Sequence, residues 1–316
     1  MAPIRPYAEE HAALNGPGDQ RPTAEQVIND QELAGGLKGV NVLITGCTSG
    51  IGIETARALY LTGANIWITA RDTTKGNAIA AELSTDADRP VKVINMSLDS
   101  FASIRAAAQT YLSQSSTLNI LINNAGVMAT PEGHTVDVLE LQFGTNHLGH
   151  FLLFQLLKPA LLKAAPSERP SRVVAVSSTG VAYGNSKLSN IYFANELTRR
   201  YRAQNLHALS LHPGSIKTPL QKHMAGTAQF DAVMVNPQYQ AQTKSIEQGA
   251  ATTVWAAIGK EWDHRGGVYL EDVGEAGPVE KEGAPWRTGY SEAAYKPEDE
   301  KSLWKLSERL CGTIAK

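Results

Sequence analysis

The sequence predicts an α/β protein, a doubly wound parallel sheet with helices on both faces, and three observations predict it. From Val40 onward, short apolar β-rich runs alternate with longer helical ones. The first run, Val42–Ile44, leads through Thr45-Gly46-Cys47-Thr48-Ser49-Gly50-Ile51-Gly52 into a helical pattern. Strand, glycine-rich turn and helix start together cradle a phosphate, because glycines permit close backbone approach and the helix start offers unpaired N–H groups. The second run ends in Ala70-Arg71-Asp72, about twenty residues past the turn, where dinucleotide folds read the adenosine ribose. Right-handed crossovers would bring the C-terminal strand ends, and so the ligand, to one edge.

At 316 residues the chain can bury a large core, and residues 39–316 read as a single domain. A formal net charge of −2 gives no electrostatic case for nucleic acid or an anionic membrane. The two cysteines, Cys47 and Cys311, form neither a disulfide framework nor a zinc site, which points to a reducing, cytoplasmic setting. Met1 to Glu32 is polar and lacks the apolar run of a signal peptide. The greasy stretch Leu148 to Leu162 is interrupted by His150, Gln155, Lys158 and Pro159, too short and too polar for a bilayer span.

Residues 1–38 read as an N-terminal arm, either disordered or carrying a helix over Glu25–Leu33 that Gly35-Gly36 would end. Strands are expected at Val42–Ile44, Asn65–Thr69, Val91–Asn95, Leu118–Ile122, Val173–Val176, Ala208–Leu211 and Gly267–Leu270. Helices are expected near Gly50–Thr62, Lys75–Leu83, Ser100–Ser113 and Ser245–Ile258, with a long one opened by Phe143–Phe151. Trp304, Leu306 and Leu310 should anchor a C-terminal helix. Pro219 to Ser245 shows no clear period; Met224, Phe230, Met234 and Tyr239 there suit either an apolar cover or a packed surface loop.

Several positions carry chemistry. Ala70 brings no carboxylate to repel a 2′-phosphate, and Arg71 is a planar donor suited to one, so the reading is NADP(H). The counter-reading has Asp72 holding the ribose and Arg71 as a solvated charge. Asn123-Asn124-Ala125-Gly126 ends the fourth strand, where amides can pair with neighbouring strands and a glycine lets a cofactor pass. Asn146 would face inward on an apolar stripe, where an unpaired amide is costly. His147 and His150 lack a further ligand at metal spacing and read as packing or hydrogen-bonding residues, with no metal expected. Tyr183 and Lys187, four apart, would share a helical face. An ammonium beside a phenol favours the phenolate, so a reference pKa of about 10 can fall toward neutrality and the tyrosine can exchange a proton there.

Thr45-Gly-x-x-x-Gly-Ile-Gly52, Asn123-Asn-Ala-Gly126, Asn146, Ser177-Ser178, Tyr183-x-x-x-Lys187 and His212-Pro213-Gly214 occur in the order seen in short-chain dehydrogenases/reductases, and the sequence resembles that family over roughly Leu37 to Gly267. Phe143–Phe151 and Ala182–Asn190 look most like its retinol-dehydrogenase-like branch, including fungal oxidoreductases. The resemblance implies a Rossmann-type fold and hydride transfer between NADP(H) and the carbonyl or alcohol carbon of an apolar small molecule. It implies Tyr183 as acid/base, Lys187 as the residue holding the nicotinamide ribose and tuning Tyr183, Ser178 as the residue orienting the carbonyl, and Asn146 as part of a proton relay. Gly46, Ser49, Gly50, Ile51, Gly52, Arg71, Asn123, Ala125, Gly126, Pro213, Gly214, Ile216 and Thr218 would line the cofactor, and a homo-oligomer is possible by analogy. The sequence departs from the family in two places. The acid that many members place after the third strand, near the adenine, is Ser97 here, and Ser97 and Leu98, with Asp99 beside them, would supply that cofactor contact. The connection from Ser178 to Tyr183 is much shorter than is usual, which keeps open a second class, an NADP(H)-binding regulator or impaired enzyme.

Overall fold

The computed structural model describes residues 3–165, 169–178, 184–279 and 289–313. Eight strands form one sheet in the order β3-β2-β1-β4-β5-β6-β7-β8. They are β1 (Asn41–Ile44), β2 (Asn65–Ala70), β3 (Lys92–Asn95), β4 (Ile120–Asn123), β5 (Ser171–Val176), β6 (Leu206–Leu211), β7 (Val268–Glu271) and β8 (Gly274–Glu275). The first seven pair in parallel, and β8 adds antiparallel to β7. The order reverses between β1 and β4, the switch point where open α/β sheets bind ligands at their strand ends.

Strand β8 is absent from the sequence expectation for a physical reason. Its hairpin turns on Asp272 and Val273, at φ 51° and 52°. That backbone normally calls for Asn-Gly, and a β-branched valine there hides the turn.

The helices are α1 (Ala24–Asp30), α2 (Ile51–Leu61), α3 (Thr73–Leu83), α4 (Phe101–Gln114), α5 (Leu141–Phe143), α6 (Gly149–Ala164), α7 (Gly184–Tyr201), α8 (Ala228–Met234), α9 (Pro237–Gln242), α10 (Ile246–Ile258) and α11 (Pro297–Leu310). A π-helical turn, Gly144–Leu148, joins α5 to α6. Alternate strand residues point to opposite layers. Val42, Ile44, Ile66 and Ile68 pack with α1, α2, α3 and α10, whereas Leu43, Trp67, Leu121 and Val173 pack with α4, α6, α7 and α11. Sequence-legible caps start several helices: Ser100 accepts from Ser103 N, and Ser245 with Gln248 forms a capping box.

Helix α11 docks on the second layer through Trp304, whose ring stacks on Phe193 at 6.0 Å and meets Phe151 edge-on at 5.0 Å. Leu310, expected as an anchor, is 37% exposed. The buried polar Ser307 takes its place, bonding His147 Nε2 at 2.8 Å. Among the described residues no helix is long and apolar enough to cross a membrane.

Candidate active site

The candidate residues converge at the C-terminal ends of β1, β4, β5 and β6. Gly50 starts α2 at φ 62° with no side-chain cap, so the first N–H groups of that helix face the turn without a side-chain acceptor. A Cβ on Gly52 would lie 2.4 Å from Gly46 O and 2.6 Å from Asn124 Nδ2, so only glycine lets the turn close on the end of β4. Ser49 is exposed and Ile51 half-buried beside the same turn.

The two asparagines at the end of β4 divide their work. Asn124 Nδ2 donates to Thr45 O at 2.8 Å and stitches β4 to β1, as the sequence suggested for amides here. Asn123 does not share that role. It is 1% exposed, and among the described residues neither its Oδ1 nor its Nδ2 has a hydrogen-bond partner. Buried amide groups are rarely left unpaired, so this one suits a bound group's polar edge. The glycine cradle, the uncapped helix and the orphaned amide together fit a dinucleotide.

Arg71 is exposed just beyond β2. The neighbouring Asp72 is committed elsewhere, its carboxylate accepting from Lys75 N at 3.1 Å as the N-cap of α3. Ser97, half-buried, bonds Asp99 through its hydroxyl. Leu98 is buried, with its side chain and its carbonyl oxygen both packed against Gly149.

Asn146 lies within the π-helical turn, a local distortion that often marks functional sites. Its Oδ1 accepts from Val127 N at 2.8 Å, and its Nδ2 donates to Val127 O at 2.9 Å and Ser186 Oγ at 3.0 Å. It therefore ties the loop after β4 to α7. Lys187, 1% exposed, donates from Nζ to Val176 O at 3.0 Å. A Cβ on Gly126 would stand 3.2 Å from Asn146 Oδ1 and 3.4 Å from Lys187 Nζ, so the three residues meet at one point. Ser177 turns inward to donate to Lys187 O at 2.6 Å, while the half-buried Ser178 follows at the strand end. Tyr183, with the rest of 179–183, lies outside the described residues.

His150 links these two regions. Its Nδ1 lies 2.9 Å from Asn146 O, an acceptor only, so Nδ1 carries the proton. Burial holds the ring neutral, with its pKa lowered to about 4, so Nε2 accepts the Thr45 hydroxyl at 2.9 Å. Thr45 Oγ1 in turn accepts from Asn124 N and Ala125 N, both at 3.0 Å. Burial likewise lowers His147 to about 3. Both histidines hydrogen-bond within the core, and among the described residues no His/Cys/Asp/Glu cluster could hold a metal. Sequence reasoning did not connect His150 to Thr45; the His150–Asn146 spacing of four on one helix was its only local signal.

On the far side, Pro213 and Gly214 follow β6 half-buried, and Ile216 packs where a Cβ on Gly249 would lie. Thr218 sits against Gly50, 3.3 Å from where its Cβ would be. The chain then runs out through 217–243 and returns at Lys244, whose N–H donates to Ser215 O at 2.8 Å.

A family model described as short chain dehydrogenase matches residues 40–228. The chain is 43% identical to the short-chain dehydrogenase/reductase prx1 of Penicillium roqueforti, over 331 aligned positions that cover 96% of this chain and 94% of the relative. That alignment is longer than the 316 residues of this chain, so the relative has residues with no counterpart here. Identity to retinol dehydrogenase 12 of Homo sapiens is 34%, covering 87% of each. Among solved structures, the Pseudomonas aeruginosa RhlG/NADP active-site complex is 27% identical with a TM-score of 0.60, covering 74% of this chain and 94% of that one.

Proposed function

The chain belongs to the short-chain dehydrogenase/reductase family, and on that premise we propose that it is an NADP(H)-dependent oxidoreductase acting on the carbonyl or alcohol carbon of an apolar small molecule. Members of this family are oxidoreductases that bind a nicotinamide cofactor. The cofactor, when bound, supplies or accepts the hydride. The uncapped α2 start and Gly46, Gly50 and Gly52 would hold its diphosphate, Asn123 its adenosine edge, and Lys187 the nicotinamide ribose. Ala125, Gly126, Pro213, Gly214, Ile216 and Thr218 would wall it in. Ser178 orients the carbonyl oxygen and Tyr183 delivers the proton to it, with Lys187 favouring the phenolate and Asn146 supporting the relay.

The observation that carries the cofactor choice is the Ala70-Arg71-Asp72 corner. The carboxylate that could hold a 2′-hydroxyl is spent on capping α3, and an arginine stands exposed beside it. The relative solved as an NADP complex supports the same reading. Charge-assisted hydrogen bonds of the usual strength should make NADPH bind roughly ten- to a hundredfold tighter than NADH. Fluorescence titration of both nucleotides tests this, and Arg71→Ala should remove most of the difference. Equal affinities in the unmodified protein reject it. NADPH consumption across a carbonyl panel tests the activity. The two buried free cysteines fit a reducing, cytoplasmic setting.

A further inference from the structure

The N-terminal arm, which precedes the residues matched by the family model, is built into the far side of the site. Arg21 is 3% exposed. Its guanidinium donates to Gln242 O and Thr243 O at 2.8 Å each, to Gly16 O at 3.0 Å, and to Asp19 Oδ1 at 2.8 Å. The carbonyls of Gln242 and Thr243 close α9, where the last turn lacks intrahelical donors and the helix dipole is negative. A guanidinium presents five donors in a fixed planar fork against the three of an ammonium, so it can serve these carbonyls and the carboxylate together. Gly16 N adds a bond to Ala241 O at 2.9 Å. On the other side of the hinge, Gln248 in the first turn of α10 donates to Asp19 O at 3.0 Å and Arg21 O at 3.1 Å. Residues 16–21 are thus wedged between the end of α9 and the start of α10.

This wedge sits where the 217–243 excursion returns to the core. The excursion leaves beside the glycine turn, at Thr218, and carries half-buried Met224, Phe230 and Met234 with buried Tyr239. Among the described residues, the arm's hydrogen bonds to the excursion all fall at its return end, on 241–243. We propose that Arg21 is a positioning residue for the substrate cover, clamping the return end of 217–243 so that the cover opens from its Thr218 side. The apolar substrate of the proposed reaction would then depend on Arg21 for its fit although Arg21 does not touch the cofactor-binding turn. This inference rests on the oxidoreductase reading for its kinetic arm alone.

The test compares the full chain with Arg21→Ala and Arg21→Lys by amide hydrogen exchange without nucleotide, by NADPH titration, and by carbonyl kinetics. Exchange over 239–244 should rise about tenfold or more in Arg21→Ala and by less in Arg21→Lys, while 252–257 of α10 stay as in the parent. NADPH affinity should hold within about twofold, and the carbonyl KM should rise by more than kcat changes. Unchanged exchange over 239–244, equal acceleration throughout α10, loss of fold in both variants, or NADPH affinity falling in step with the carbonyl KM overturns the proposal. If the parent protein reduces no carbonyl, the activity reading fails and the exchange result still decides the clamp.

Discussion

Replacing His150 by glutamine should produce a stability loss that acid erases. At pH 7 the parent imidazole spans two acceptors and donors, Asn146 O and the Thr45 hydroxyl, both at 2.9 Å. A glutamine can satisfy one of them and leaves the other buried group short of a partner, a loss of about 1–3 kcal/mol. The histidine carries its own liability. In the unfolded chain it takes up a proton below about 6.5, whereas burial keeps the native ring neutral down to about 4. Between those values the unfolded state binds more protons, so stability is whole above pH 6.5 and drains as pH falls toward 4. At pH 5 the parent has lost about 2 kcal/mol through this residue, and His150→Gln has no such loss. The deficit of the variant at pH 7 should therefore nearly vanish at pH 5. Other groups that move stability with pH, such as Glu271, which burial pushes up to about 7, are common to both proteins and largely cancel. Urea unfolding followed by tryptophan fluorescence at pH 7, 6 and 5 measures it, since Trp67, Trp255, Trp262 and Trp304 are all buried. Parallel pH curves for the two proteins would refute the assignment of a neutral, doubly bonded His150.

The acid/base assignment predicts that Tyr183→Phe loses turnover and keeps NADPH binding; undiminished turnover moves the proton donor elsewhere. Lys187→Ala should weaken cofactor binding and move fast alcohol oxidation to higher pH, read from initial rates across pH 6–10. The short Ser178–Tyr183 connection can still bring both hydroxyls to one oxygen, because five extended residues reach up to roughly 17 Å. On the proposed reading, a link this short would lack the length for a wall beside the substrate, and the wetter pocket would give weaker help to the developing alkoxide. Steady-state reduction of small and bulky ketones should be slow and poorly selective, and inserting a longer family-like segment after Gly180 should improve it. A fast, selective parent enzyme would end that idea.

Local chemistry carried most of the fold. Strand runs buried on both faces, helices with serine caps and a glycine turn between them write their conformation into neighbouring residues, and seven of the eight strands are legible for that reason. The candidate site was legible in the same way where one motif holds its parts, as with Gly46–Gly52, whereas the meeting of Asn146, Gly126 and Lys187 at one point joins three separate segments and came from the fold. Tertiary structure decided what no neighbour encodes. Asn123 and Asn124 are adjacent and chemically identical, and only the tertiary packing makes one a stitch to β1 and leaves the other without a partner among the described residues. Thr45 and His150 are 105 residues apart, and their bond exists because the fold brings the end of β1 to the first turn of α6. Leu310 fits the apolar pattern of α11 and ends up exposed, while Ser307 finds a histidine. Arg21 looks like any surface arginine in the sequence. Apart from the nearby Asp19 carboxylate, its partners are main-chain carbonyls, which every residue carries, so no side-chain pattern in the sequence could have announced its grip on 242–243.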